Sequence, residues 1–171
     1  MEAQSHEDWI TTAVQRFGRP LTQYAHSLLD DADRARDVVQ DTFVRLCSQR
    51  RESVESRLAP WLFTVCRNRA MDVLRKERRM TPLTEEHQAV MGTEPPDPTK
   101  ESASSSIKAA LGRLPSAQRE VIRLKFLHEM SYREISKVTG LSESHVGVLI
   151  HNGIKTLRQH AAFTAPERSL A

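Results

Sequence analysis

The chain has little of what builds disulfide-linked scaffolds, β-sheets or membrane spans. Its 171 residues include only two cysteines, Cys47 and Cys66, too few for a disulfide framework or a cysteine-rich zinc module. Six glycines and few runs of Val, Ile, Tyr or Phe argue against a β-rich fold. No apolar run approaches the roughly 18–20 residues of a membrane span, and residues 1–8 are acidic where a signal peptide is basic. We therefore expect a cytoplasmic protein without membrane insertion.

The formal net charge is only +3, but its distribution along the chain is uneven. Residues 61–80 hold six basic and two acidic side chains, a net charge of +4, and residues 107–160 hold nine and four, a net charge of +5. Between them, residues 81–106 hold one basic and five acidic side chains, a net charge of −4. One basic block is compatible with a solvated helix face, whereas two blocks separated by an acidic one indicate two surfaces that face nucleic acid.

The acidic stretch is where regular structure is least expected. Residues 81–106 contain four prolines, one glycine and four serines, a composition that prevents a stable helix and buries almost nothing. We interpret this stretch as a flexible linker between two helical modules, residues 1–80 and residues 107–160. Residues 161–171, with Pro166 and small side chains, are expected to form a fraying tail. The predicted fold class is therefore all-α, with two small helical modules joined by a linker.

Apolar residues in the first module recur every three or four positions, the spacing of amphipathic helices. The stripes of two successive helices are expected to be Leu21, Tyr24, Ala25, Leu28 and Leu29, then Ala35, Val38, Val39, Thr42, Phe43 and Leu46. Opposite the second stripe lies a polar face made of Asp33, Arg36, Asp37, Gln40, Asp41 and Arg45. Residues 50–59 interrupt the pattern. Pro60 then fits the first turn of a third helix, where its missing N–H costs nothing.

The third helix is predicted to run from Trp61 to about Arg79, apolar on one side and arginine-rich on the other. The apolar side is Trp61, Leu62, Val65, Cys66, Ala70, Val73 and Leu74. The other side is Thr64, Arg67, Asn68, Met71, Arg75 and Arg78. Such a helix is suited to lying on a core while its exposed side faces phosphates. Cys66 falls on the apolar side and Cys47 adjoins the stripe of its own helix, so both are expected to be core residues rather than nucleophiles.

The second module carries the local signals of two further helices separated by a tight turn. A helix is expected to open at Pro115 and to carry the apolar residues Val121, Ile122, Leu124 and Leu127. Ser131 and Glu134 form a capping box, in which the serine caps the N3 amide and the glutamate reaches back. The short helix that follows ends at Gly140, the residue type best able to adopt the left-handed conformation. Ser142 then caps the last helix.

Hydrophobic staples accompany both caps, formed by Met130 with Ile135 and by Leu141 with Val146. An ordinary helical hairpin is the alternative structure. Caps, staples and a terminal glycine at matched spacing favour the DNA-binding helix-turn-helix, whose second helix enters the major groove.

The predicted recognition helix has an apolar stripe and an opposite polar face. The stripe is Val146, Leu149, Ile150, Ile154 and Leu157, and the polar face is Ser144, His145, Val148, His151, Asn152, Lys155 and Arg158. Asn, Ser and His can bond base edges and Val can meet a thymine methyl, whereas Lys155 and Arg158 would hold phosphates. The scarcity of arginine predicts mild base readout. Gly147 and Gly153 are costly in a helix: either they let the backbone approach the duplex, or Gly153 packs against the neighbouring helix, which we expect.

Catalytic and cofactor-dependent functions find little support. There is no phosphate-binding glycine loop and no glutamate–histidine zinc pair on a helix. The seven histidines are dispersed, and His145 and His151 lack a nearby Asp, Glu or Cys ligand set. The acidic cluster of Asp30, Asp31, Asp33, Asp37 and Asp41 lies among basic residues on a solvent face, which favours a protein contact. We predict no catalytic residue, no cofactor and no metal.

The chain resembles the extracytoplasmic-function (ECF) sigma factors of bacterial RNA polymerase from about Leu21 to Gln159. Three segments in order carry the likeness: DDADRARDVVQDTFVRLC, APWLFTVCRNRAMDVLRKERR and LGRLPSAQREVIRLKFLHEMSYREISKVTGLS. The resemblance implies that residues 1–80 are sigma region 2, which melts the minus-ten element, and that residues 107–160 are region 4, which reads the minus-thirty-five element. The implied partners are core RNA polymerase, through its β′ clamp helices and β flap, promoter DNA and an anti-sigma factor.

The resemblance also assigns roles to individual positions. The residues matching the contact with the β′ clamp helices are Asp37, Gln40, Asp41 and Arg45. The residues matching the minus-ten surface are Trp61, Arg67, Asn68, Met71, Arg75 and Arg78, with Asn68 beside the captured base. The loop from Glu52 to Ala59 matches the base-capturing loop, although it has two glutamates and no aromatic residue. The recognition helix departs from the family, since many members carry arginines at the positions of Gly147, Leu149 and Asn152.

Two other functions compete with a promoter-specificity subunit. A free-standing helix-turn-helix repressor or activator would use the second module without touching polymerase. A nuclease would suit two basic blocks, but the sequence lacks a metal-binding carboxylate cluster on a basic face.

Overall fold

The structure is a computed structural model that describes the backbone of residues 2–80 and 109–164 and the side chains of residues 6–80 and 109–159. All regular elements in these ranges are helical, in agreement with the predicted all-α class. The first unit consists of α1 (Glu2–Leu29), α2 (Ala32–Cys47), α3 (Arg51–Val54), a 3₁₀ turn (Glu55–Arg57) and α4 (Leu58–Met80). The second consists of a helical segment at 109–112, α5 (Ser116–Phe126), α6 (Tyr132–Thr139) and α7 (Glu143–Thr164). The predicted linker, residues 81–106, lies outside the described residues.

The core of the first unit lies where α1, α2 and α4 pack against one another. Leu21, Leu46 and Leu62 are fully buried there, one from each helix. The rings of Tyr24 and Phe63 meet with their centroids 5.1 Å apart, and aromatic pairs at this separation stabilise beyond the area they bury. This packing covers one side of α4 and leaves the opposite side outward.

The start of α2 is capped by Asp31, the residue before its first helical position. The Asp31 carboxylate accepts hydrogen bonds from the backbone N–H groups of Asp33 and Arg34, at 3.0 and 2.9 Å. These bonds favour the ionised form, and the bond from Arg34 is the largest cause of the lowered pKa of Asp31. The cap fixes where α2 begins and hence which of its residues face outward.

The interrupted segment before α4 differs from the sequence expectation. Residues 51–57 form the short helix α3 and a 3₁₀ turn rather than an irregular loop, and Leu58 and Ala59 already belong to α4. Val54 is buried and anchors the segment to the core. The helix predicted from Trp61 begins instead at Leu58, so Pro60 is its third residue, still within the first turn.

The second unit has its own apolar core. Leu111, Leu114 and Ile122 are buried together, and Leu157 of α7 packs against them. Arg119 of α5 donates hydrogen bonds to the carbonyl oxygens of Gly112 and Leu114, at 2.9 and 3.0 Å. These bonds satisfy carbonyls at the end of the segment that precedes α5.

Leu127 was predicted to belong to the helix that opens at Pro115, and the structure shows that this is wrong. Its side chain is 65% exposed because α5 ends at Phe126. The chain then reverses through Glu129, which has a positive φ of 54°, and the Met130 N–H donates to the Leu124 carbonyl. This reversal directs Leu127 away from the core.

The predicted caps and terminal glycine of the helix-turn-helix are confirmed. The Ser131 Oγ accepts from the Glu134 N–H at 3.2 Å, and the Glu134 carboxylate accepts from the Ser131 N–H at 2.8 Å. Gly140 has a φ of 76° at the turn. Ser142 Oγ then accepts from the His145 N–H and caps α7. The helix continues to Thr164, four residues into the predicted tail, while residues 165–171 lie outside the described residues.

Candidate nucleic-acid and partner surfaces

The α4 face is defined here as the six residues that the resemblance matches to the minus-ten surface: Trp61, Arg67, Asn68, Met71, Arg75 and Arg78. Asn68, Arg75 and Arg78 are exposed, while the other three residues are half-buried. The inward side of the helix is fixed by Leu62 and Cys66, both fully buried. One rigid helix therefore presents arginines, an amide and apolar side chains together.

Arg75 has an ionic partner, Asp72, on its own helix. Its Nη1 lies 3.0 Å from Asp72 Oδ1, one turn back on the same helix. Both side chains are more than half exposed, and exposed pairs of this type contribute at most about 1 kcal/mol. Arg75 can therefore exchange the carboxylate for a phosphate at small cost.

A second ion pair orders the segment that precedes α4. Arg51 donates from Nε and Nη2 to Glu55 Oε1, at 3.0 and 2.6 Å. This hydrogen bonding raises the pKa of Arg51 and lowers the pKa of Glu55. The Glu55 charge is thereby balanced, whereas Glu52 is exposed one turn earlier.

The polar side of α2, called here the α2 face, consists of Asp37, Gln40, Asp41 and Arg45. Asp37, Gln40 and Arg45 are exposed as expected. Asp41 was also expected to be exposed, but it is partly covered because Arg69 of α4 binds its carboxylate. Val44 lies in the same stretch of helix and is 62% exposed, an apolar residue that the polar pattern around it did not reveal.

Two ion pairs join α2 to α4. Arg69 pairs with Asp41, and Arg34 pairs with Glu77 eight residues further along α4. Beside them lies a cleft of about 380 Å³ lined mainly by Arg34, Asp37, Gln40, Asp41 and Arg69. Positively and negatively charged side chains both line this cleft. It therefore suits charged side chains of a partner better than an apolar ligand.

The polar side of α7, called here the α7 face, consists of Ser144, His145, Val148, His151, Asn152, Lys155 and Arg158. All seven residues are exposed, as the sequence pattern predicted. Val148 is 55% exposed, a position from which it can reach a thymine methyl. The structure thus brings every residue of the predicted recognition surface onto one helix face.

The two glycines of α7 have different surroundings. A Cβ at Gly153 would overlap the Ile122 side chain of α5. A Cβ at Gly147 would only touch the Tyr132 ring, 3.5 Å from Cε2. The expectation that Gly153 packs against the neighbouring helix is therefore confirmed.

Tyr132 and Lys125 extend the outward surface beside α7 and were missed by the sequence analysis. The Lys125 Nζ lies 5.4 Å from the centroid of the Tyr132 ring, within the range of a cation–π interaction. The ring in turn lies against Gly147. Phe126 is also exposed, where α5 ends. Helical periodicity alone could not reveal this group, because its members come from three different helices.

The two cysteines differ from each other. Cys66 is fully buried, as expected, and burial raises the pKa of its thiol to about 12. The expectation that Cys47 is a core residue is wrong, because it is exposed at the last position of α2. Among the described side chains, those of residues 6–80 and 109–159, no three His, Cys, Asp or Glu groups are arranged as metal ligands would be. Within the same ranges, no helix combines the length and apolarity of a membrane span.

Two family models match the chain in order. The model described as "Sigma-70 region 2" matches residues 13–80, and the model described as "Sigma-70, region 4" matches residues 104–157. The first match contains the α2 and α4 faces, and the second contains almost all of the α7 face.

Individual relatives give the same result. The chain is 32% identical over 146 residues to the ECF RNA polymerase sigma factor SigL of Mycobacterium tuberculosis, covering 81% of this chain and 80% of that one. It is 31% identical over 139 residues to the ECF RNA polymerase sigma factor RpoE of Cereibacter sphaeroides, covering 75% and 73%. Its fold is similar to the sigma factor RpoE of Bartonella quintana, solved with the anti-sigma factor NepR, with a TM-score of 0.67, 22% identity and coverage of 91% and 98%.

Proposed function

The chain belongs to the extracytoplasmic-function (ECF) sigma factors of RNA polymerase, alternative sigma factors that direct transcription from particular promoters, and we propose how its surfaces divide that work. Residues 1–80 act as region 2, residues 107–160 act as region 4, and residues 81–106 tether them. The observation that carries the proposal is the ordered match of both sigma regions to this chain, at 13–80 and 104–157. Tethered modules combine their affinities through effective concentration.

The α2 face binds core RNA polymerase at the β′ clamp helices. Asp37 and Asp41 lie one helical turn apart and supply negative charge to a basic partner helix, with Gln40 and Arg45 beside them. The exposed apolar side chain of Val44 lies among these residues. An apolar residue ringed by polar ones is typical of the centre of a protein interface. The second unit completes polymerase binding at the β flap.

The α4 face engages the minus-ten element. Arg67, Arg75 and Arg78 hold phosphates, which positions the DNA without reading its sequence. Asn68 lies beside the extruded base, with Trp61 and Met71 supplying apolar surface. The ordered segment from Glu52 to Ala59 leads into the first residues of α4 and forms the wall of the base pocket, which must replace the lost stacking and pairing.

The α7 face reads the minus-thirty-five element in the major groove. Ser144, His145, Val148, His151 and Asn152 face base edges, and the helix carries these residues on its exposed side. Lys155 and Arg158, further along the helix, hold phosphates. Because this face has one arginine, its specificity is modest and depends on the tether to region 2.

We place the protein in the cytoplasm, where core polymerase and promoters are found, and infer that an anti-sigma factor restrains it. One solved sigma factor of similar fold, RpoE of Bartonella quintana, is in complex with the anti-sigma factor NepR. The chain itself works as a non-catalytic subunit, because each proposed role of its surfaces is a binding event.

Reconstitution with core RNA polymerase tests this function. The chain is mixed with core enzyme, and the complex is isolated by size exclusion and supplied with a pool of promoter sequences. A stable complex that initiates from a defined subset of promoters is the expected result. A chain that leaves core enzyme unbound while it binds duplex DNA alone would instead support a free-standing repressor or activator.

A further inference from the structure

Arg69 belongs by position to the basic helix α4, but its guanidinium is bound to α2. It donates from Nε, at 3.1 Å, and from Nη2 to the same oxygen, Oδ2 of Asp41. The Arg69 side chain is 33% exposed and the Asp41 side chain is 47% exposed. Arg69 is therefore engaged on the α2 face rather than on the α4 face that carries Arg67, Arg75 and Arg78.

The geometry leaves one oxygen of Asp41 for another partner. Both donors of Arg69 are directed at Oδ2, and Oδ1 accepts no hydrogen bond within the part of the chain that the structure describes. Two charge-assisted bonds to one oxygen restrict rotation of the carboxylate. The Asp41 side chain is thus held before any partner arrives, with its second oxygen unengaged.

We propose that Arg69 is a positioning residue of the polymerase interface, which acts through Asp41 by presenting a preoriented carboxylate oxygen to a cationic side chain of core RNA polymerase. The inference rests on the proposed role of the α2 face. The Asp41–Arg69 pair is neutral overall, so its benefit is geometric: the partner does not have to immobilise a mobile side chain on binding. Asp37, one turn away and exposed, supplies further negative charge.

The position of Arg69 in a basic helix suggests a different role, that of a phosphate contact. The structure argues against that role because the Arg69 guanidinium already donates two hydrogen bonds to the Asp41 carboxylate of the α2 face. A purely structural role of Arg69, that of holding α2 against α4, can also be distinguished from the proposed one. The Arg34–Glu77 pair joins the same two helices, and the core beneath them contains Leu21, Leu46 and Leu62. Loss of Arg69 should therefore leave α2 and α4 packed.

The experiment measures the affinity of the full-length chain for core RNA polymerase, without DNA, in five forms: the natural chain, Arg69→Gln, Asp41→Asn, the double variant and Glu77→Gln. Glu77→Gln is the matched control, since it removes the other ion pair between α2 and α4 but leaves the α2 face intact. We expect Arg69→Gln to weaken binding about fivefold and Asp41→Asn about tenfold. The double variant should be no weaker than Asp41→Asn, and Glu77→Gln should remain within about twofold.

Several results would overturn the inference. Unchanged or tighter binding by Arg69→Gln would show that Asp41 needs no orientation. Losses that multiply in the double variant would show that Arg69 acts independently of Asp41. An equal loss in Glu77→Gln would indicate general loosening of the helix pair. A salt slope of promoter binding lowered by about one in the Arg69→Gln holoenzyme would make Arg69 a phosphate contact.

The same measurement separates this inference from the proposed function. If the natural chain fails to bind core enzyme, the proposed function itself is wrong. If the natural chain binds and Arg69→Gln binds equally well, the function stands and only the role of Arg69 is refuted.

Discussion

Gly153 of α7 lies directly against Ile122 of α5, so closely that a Cβ at position 153 would overlap the Ile122 Cδ1 and stand 3.5 Å from Gln118 Cβ. Gly147 of the same helix has room for a Cβ, which would make ordinary contact with the Tyr132 ring. The two glycines thus lie on the same helix but differ in how closely a neighbouring side chain packs against them. Gly153 permits the close approach of α5 and α7 that holds the α7 face in place.

Alanine at these two positions should have opposite effects on stability. Gly147→Ala should stabilise the second unit by up to about 1 kcal/mol, since alanine favours the helix over glycine. Gly153→Ala has the same helical benefit, but it must displace Ile122 in a packed core, which costs about 1–3 kcal/mol. Hydrogen exchange of the buried α5 amides measures both changes in the full chain. Equal protection in the two variants would refute the packing role of Gly153.

Acid should destabilise the second unit through His128. Burial lowers the pKa of His128, and the nearby charge of Arg123 lowers it further. Because the folded-state pKa lies below the unfolded value of about 6.5, the His128 side chain does not oppose folding at a pH above 6.5. As the pH falls toward the folded-state pKa, protonation favours the unfolded chain and stability is lost. We expect the melting temperature followed by circular dichroism to decline as the pH falls below about 6.5, and to decline less in His128→Gln. The exposed His145→Gln is the control, and a slope in His128→Gln equal to that of the natural chain would contradict this account.

The thiols should react very unequally. Cys66 is fully buried with its pKa raised to about 12, so almost none of it is thiolate at pH 8. Cys47 is exposed at the end of α2. Iodoacetamide should therefore label only Cys47 in the folded chain and both thiols in denaturant, as read by mass spectrometry of peptides. Equal labelling of Cys66 in the folded chain would show that the core of the first unit opens readily.

Phosphate contacts on the α4 face should appear in the salt dependence of promoter binding by the assembled polymerase. Arg78→Gln should lower the slope of log K against log salt by about one, because each phosphate contact releases counterions. Asp72→Asn should strengthen binding modestly, since it frees Arg75 from a competing carboxylate. Asn68→Ala should leave the slope unchanged. A slope that is the same in Arg78→Gln and in the natural chain would remove Arg78 from the interface.

Local signals in the sequence were sufficient for most of the helix-turn-helix. The capping box at Ser131 and Glu134 and the positive φ of Gly140 involve neighbours within a few residues, so residue type and spacing determine them. The α7 face followed from one helical period. Leu127 was misplaced because the reversal after α5 uses Glu129 at a positive φ, and glutamate carries no sequence signal for that conformation.

Contacts between distant segments were beyond the sequence. Asp41 and Arg69 are 28 residues apart, and each fits a plausible helix face without the other. Residues 50–59 were expected to be irregular because their pattern is weak, but a single buried residue, Val54, anchors them as helical turns. Cys47 was assigned to the core from its place beside the stripe, and it is exposed because α2 ends there. Tertiary packing rather than local propensity decided these cases.

The central claim is that two surfaces on one sigma factor read two different promoter elements, α4 the minus-ten and α7 the minus-thirty-five. The most direct measurement sequences the 5′ ends of transcripts made from a randomised promoter library by core polymerase with the natural chain, Asn68→Ala or Asn152→Ala. The account predicts that Asn68→Ala changes base preference only at the minus-ten element and that Asn152→Ala changes it only at the minus-thirty-five element. Identical shifts in the two variants, or no shift at either element, would contradict it.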